Sequence, residues 1–204
     1  MRRRRRLRTP PPAVPRSGEP RPRALAEVVR LPRRSPLYPE LARALAAAGR
    51  LHALRSDLEP VPVRATATTR QSGCYRSREG DPVDLRVSRL HGRVALSFLH
   101  ELGHLVDHQH GWELGPELRA RAVVPSRAPA GSGRSRRRYF DSPREVWARA
   151  YAQTVLARSG DPALLAELAS LQAAGDAFVW PERDFAPLAH AVEDVLGRLL
   201  AVAA

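Results

Sequence analysis

The chain has 204 residues, 43% of them hydrophobic, which is enough for one buried core, and its single cysteine, Cys74, excludes an internal disulfide framework. The net charge is +13, but residues 1–34 carry twelve Arg against Glu19 and Glu27, so residues 35–204 hold only +3 of it. No apolar run approaches the ~20 residues that span a bilayer, and MRRRRRLR is followed by prolines where a secretory signal needs an apolar stretch, so a cytoplasmic protein is expected, with signal-independent secretion as the alternative.

Residues 1–35 combine an arginine run with many prolines, a composition too poor in apolar surface to offset the entropy of ordering, and predict a disordered basic tail. Its functional reading is an electrostatic contact with nucleic acid or acidic partners, and its plain reading is a solvated leader. All 34 basic residues are Arg and the chain lacks Lys, Asn and Ile, a bias that reads as GC-rich coding pressure and weakens the argument from charge. ELARALAAAGRLHAL then predicts a helix over about 39–54.

VPVRATATT (61–69) alternates and is β-branched, and DPVDLRVSR (81–89) places Val83, Leu85 and Val87 on one face. With Gly73 and Gly80 as turn signals between them, these segments predict a small antiparallel sheet. RVALSFLHELGHLVDHQH follows as a helix over about 93–110. On it Ala95, Phe98, Leu99, Leu102, Leu105 and Val106 gather in one arc, and His100, His104 and Asp107 lie almost opposite. Residues 111–140 read as mainly loop. Helices are expected again from Ser142 to Gly160, over about 162–174 and over about 184–203, with Trp147, Trp180 and Phe185 as core. The fold class is α+β with helices dominant.

HELGH carries the chemistry. Residues four apart on a helix share a face, about 5–6 Å apart at Cβ, so His100 and His104 can direct imidazole nitrogens at one Zn2+ ion. Glu101 lies a short way round the helix, where it can deprotonate a water held by that ion without ligating it. The alternative is two solvated or core histidines on an ordinary amphipathic helix.

Three residues compete as the third ligand. His110 has the spacing of the metzincins' HExxHxxGxxH, but their glycine is Asp107 here, and their methionine turn is impossible because Met1 is the only methionine. His108 belongs to the same helix. Glu145 opens the next helix, with Ala148 and Ala152 small enough to let that helix pack closely on the first. Against a ligand role, Ser142-x-x-Glu145 is also a capping-box pattern. Asp107 could orient a ligand imidazole or face water. Cys74 has no base nearby and reads as a small packed residue.

Over roughly residues 73–158 the sequence resembles the gluzincins, zincin metallopeptidases in which HExxH is completed by a downstream glutamate. EVWARAYAQ is similar to the glutamate helix of minimal phage, mobile-element and lethal-factor-like catalytic domains, with the ImmA/IrrE family as the nearest alternative. The thermolysin-type asparagine is missing, and the loop before Glu145 is long for ImmA/IrrE. The resemblance implies a helix-dominated minimal zincin domain over 36–204, a metal site of His100, His104 and Glu145, Glu101 as general base, and Tyr139 near the developing oxyanion. The expected function is zinc-dependent hydrolysis of peptide bonds in a protein substrate. The alternative is a nucleic-acid-binding or regulatory module in which the tail and Arg134, Arg136, Arg137 and Arg138 hold phosphates and HELGH is structural.

Overall fold

The computed structural model describes residues 23–54 and 58–202. In chain order its elements are α1 (Leu25–Val28), β1 (Val29–Arg30), α2 (Tyr38–Gly49), β2 (Val61–Thr66), β3 (Gly73–Arg78), β4 (Asp81–Ser88), α3 (Val94–Gln109), α4 (Leu114–Arg121), α5 (Arg134–Phe140), α6 (Pro143–Ala157), α7 (Pro162–Ala173) and α8 (Glu182–Val202). The α+β class expected from the pattern is the class observed, with one small sheet set against a helical body.

The sheet is mixed and runs β1-β2-β4-β3. β2 and β4, the two segments legible as strands, pair in parallel, Val63 opposite Leu85 and Ala65 opposite Val87. The expected antiparallel pairing is made instead by β3 with β4, across a turn in which Glu79 (φ 54°) and Gly80 (φ 92°) both adopt the left-handed backbone of a tight hairpin. β3 was hidden because GCYRSR is an edge strand with little buried surface, so it shows no apolar alternation. Leu85 and Val87 face the core as expected, whereas Val83 sits at the open end of β4, 37% exposed. On the opposite face, fully buried Asp84 accepts from Arg76 at 2.6 Å and from Arg64 at 3.0 Å, and Arg76 together with Arg86 holds its carboxyl below the usual range.

The helical body is built on α3 and α6. The predicted apolar arc of α3, from Ala95 through Val106, is buried. Gly103 lets the two helices touch, since a Cβ there would lie 3.0 Å from Ala148 Cα, and the Trp147 indole N–H donates to Gly103 O at 3.0 Å. Trp147, Trp180 and Phe185 lie in the core, as expected. Two contacts tie the periphery to this pair. His52, after α2, meets the Tyr151 hydroxyl at 2.6 Å, and Gln153 makes two 2.8 Å bonds to the backbone of Trp180.

Two further expectations change. The segment 111–140 holds two short helices, α4 and α5, whose polar, arginine-rich sequences carry little helical periodicity. The basic tail, expected to run to residue 35, ends earlier: Leu25, Val28 and Val29 are buried in the core and β1 pairs with β2. Arg and Pro dominate that window on average, and the average conceals a short LAEVV core segment. The rest of the tail, residues 1–22, lies outside the described residues. Among the described residues no helix is long and apolar enough to cross a membrane.

Candidate metal centre

Two successive turns of α3 and the first turn of α6 meet at one point. His100 Nε2 and His104 Nε2 are 3.2 Å apart, with the ring planes at 88°. Facing them, Glu145 sets Oε2 at 3.4 Å from His100 Nε2 and Oε1 at 3.3 Å from His104 Nε2. Two imidazole nitrogens this close repel unless a proton or a cation lies between them. The three residues can hold a metal ion, and among the described residues this is the one cluster of three or more metal-type ligands close enough to do so.

Burial alone would raise the Glu145 carboxyl, but the two imidazoles beside it outweigh burial and hold it far below the carboxylate range. His104 is correspondingly raised, with Glu145 and Glu101 overcoming the desolvation that would lower it.

Glu101 is not one of the three clustered donors. Its Oε2 accepts the Tyr75 backbone N–H at 2.6 Å, which ties it to the edge strand β3. Burial raises its carboxyl, partly offset by His100 and His104. Gly73 makes room for it: a Cβ at that position would lie 2.5 Å from Glu101 Oε1. Tyr139, from α5, is 60% exposed at the rim of the same cleft, and partial burial with the nearby Glu145 carboxylate raises its phenol.

The competing ligands are not assembled here. His110 is the C-cap of α3 and is not one of the three clustered donors. His108 instead meets the Tyr75 hydroxyl and stacks on Trp112, with ring centroids 4.8 Å apart. The capping box does not form, because Ser142 makes no side-chain cap bond and Glu145 turns inward. Asp107 neither faces water nor bonds an imidazole: fully buried, it accepts the Leu114 N–H at 3.0 Å and anchors the start of α4. Cys74 is half-buried, and burial followed by Glu101 raises its thiol, which disfavours a thiolate.

Arg149 left no readable signal of a site role in the sequence, and Gly73 reads there only as a turn signal. Arg149 is buried on α6 one turn after Glu145. Its guanidinium donates to Glu145 O at 3.1 Å and to Phe140 O, and it lies 4.4 Å from the Phe140 ring centre. Desolvation brings it down to about 10, so it stays charged beside the carboxylate. One arginine thereby joins the end of α5 to the turn that presents Glu145. Its i+4 spacing from Glu145 was the only available signal, and on an arginine-rich chain that spacing is commonplace.

Comparison of the chain with models of known families, with characterised proteins and with solved structures gives no match.

Proposed function

We propose that the chain is a zinc-dependent peptidase in which His100, His104 and Glu145 hold the ion and Glu101 is the general base. The observation that carries this reading is the triangle of donors, with sides of 3.2, 3.3 and 3.4 Å. Donors that bind zinc at about 2.0–2.1 Å stand about 3.3–3.4 Å apart, so the spacing of these three side chains would fit one such ion. Two neutral nitrogens and one carboxylate are also a donor set of the catalytic kind. When bound, the ion supplies Lewis acidity, polarising a carbonyl and making water acidic near neutral pH.

The chain's own residues would do the rest. Glu101, held by the Tyr75 N–H and raised by burial, takes a proton from the attacking water and passes it to the leaving amine. Tyr139, at the rim, donates its hydroxyl to the oxygen that gains charge. Arg149 fixes the backbone of Glu145, and Gly73 leaves the base its space.

Zinc stoichiometry and hydrolysis of a degenerate peptide mixture test the reading together. Wild type should bind one equivalent of zinc. His100→Ala and Glu145→Ala should lose it, and Glu101→Gln should keep it while losing about 10²–10⁴-fold in hydrolysis. Zinc retained in Glu145→Ala, or hydrolysis undiminished in Glu101→Gln, would refute the assignment. Salt-sensitive DNA binding without any proteolysis would favour the alternative module instead.

A further inference from the structure

A cavity of about 340 Å³ opens beside the metal-type cluster, on the side away from Trp112. Two residues of its lining carry buried polar atoms without a partner. Ser97, one turn before His100 on α3, is 5% exposed, and its Oγ has no partner; His91 Nε2, on the same wall, is also buried without one. Isolated buried polar atoms are costly, and both of these belong to residues that line one cavity, which marks its wall as a place where a polar group is accommodated.

The charges of the cavity give that group a sign. Three arginines line it. Arg93 is already neutralised by Asp176, 2.5 Å away. Arg70 and Arg136 are exposed and make no ion pair with any described carboxylate. Of the acids on the same wall, Glu145 belongs to the imidazoles and Glu101 to the Tyr75 N–H. Two cations from separate segments, 70–73 and α5, are thus left in the lining of a cavity that also includes the Ser97 hydroxyl.

We propose that this cavity is a specificity pocket for an acidic side chain, Asp or Glu, of the peptide substrate. Arg70 and Arg136 clamp the carboxylate, and Ser97 donates to it. The inference rests on the peptidase reading for its substrate, and it adds which residue the chain selects beside the cleaved bond. A carboxylate accepts charge-assisted bonds, so its amide counterpart should be clearly disfavoured.

The test compares peptides that differ only in Glu against Gln at each position flanking the cleaved bond, using the full-length protein loaded with zinc. At one position kcat/KM should favour Glu by about tenfold or more. In the double variant Arg70→Glu, Arg136→Glu that ratio should fall to one or below, and Ser97→Ala should lower it severalfold. A second measurement is independent of turnover: fluorescence anisotropy of the same labelled peptides on Glu101→Gln, where the Glu peptide should bind about tenfold more tightly. If no peptide is hydrolysed, the peptidase reading fails while the binding ratio still decides the pocket. Equal binding of the two peptides, or a ratio unmoved by the double charge reversal, overturns the proposal. Displacement of the Glu peptide by a single-stranded oligonucleotide of higher affinity also overturns it, by assigning the cations to phosphate.

Discussion

Gly73 leaves no room for even a methyl group beside Glu101. A Cβ at that position would lie 2.5 Å from Glu101 Oε1 and 2.8 Å from Cγ, and Glu101 cannot retreat without giving up the Tyr75 N–H. Gly73→Ala should therefore displace the Glu101 carboxylate by about an ångström or less, while the His100, His104 and Glu145 cluster is untouched; if Glu101 is the proposed base, hydrolysis reports the shift. The expected result is a loss of roughly a hundredfold in kcat/KM at unchanged zinc stoichiometry, since misplacing a catalytic group by about 1 Å costs on that order. Activity within a few-fold of wild type would show that Glu101 is less constrained than its contacts imply. HELGH was readable because a helix of known period fixes where its side chains go. Gly73 was readable only as a turn signal, because its true constraint comes from a side chain 28 positions away in sequence.

At the scale of elements, the first turn of α6 is set by what surrounds it and not by its own cap. Gly115 of α4 lies against Pro143, where a Cβ would come within 2.4 Å of the carbonyl oxygen, and Asp107 pins the start of α4 through Leu114. Ser142, by contrast, makes no side-chain cap bond, whereas Asp161 caps α7 by accepting from Ala163 N at 2.9 Å and Leu164 N at 3.2 Å. Ser142→Ala should then cost under about 0.5 kcal/mol and Asp161→Ala about 1 kcal/mol in urea unfolding. A larger loss for Ser142→Ala would restore the capping role that the S-x-x-E pattern suggests. The pattern was legible and the outcome was not, because a glutamate three residues after a serine can reach either back to the cap or across to a neighbouring helix. Small residues at Gly103 and Ala148 allow the neighbour here. Edge strand β3 escaped detection for a related reason: its value lies in one backbone N–H offered to Glu101, and backbone donors leave no mark on composition.

Across the whole molecule, the chain folds from nearer its N-terminus than its composition suggests. A protein beginning at residue 36 would lack Leu25, Val28 and Val29, all at 2% exposure or less, and the strand that β2 pairs with. At roughly 1.5–3 kcal/mol per fully buried aliphatic side chain, that is several kcal/mol, a large share of a typical domain's stability. Truncation at 36 should lower the unfolding midpoint markedly, whereas truncation at 23 leaves those contacts in place. Equal stability of the two would place the core boundary later, where composition alone put it.

Stability should also respond to pH through His52, which is not among the residues lining the cleft. Burial lowers its imidazole to about 4 from an ordinary 6.5, and its Nε2 meets the Tyr151 hydroxyl at 2.6 Å, joining the end of α2 to α6. Above pH 6.5 the ring is neutral in both folded and unfolded chains, and its contribution is complete. As pH falls from 6.5 towards 4 the unfolded chain binds a proton that the folded one refuses, so up to about 3 kcal/mol of stability is lost over that window, with no further loss below it. Buried carboxyls raised by desolvation, Asp107 and Glu167 among them, act in the opposite sense, so the slope of wild type alone is not diagnostic. The difference between wild type and His52→Gln is diagnostic, because glutamine can keep a hydrogen bond to Tyr151 but cannot titrate. Urea unfolding at intervals from pH 8 to pH 4.5 should show wild type ahead at high pH and its lead shrinking steadily as pH drops. A lead that stays constant across that range would mean that His52 takes up its proton as readily in the fold as out of it.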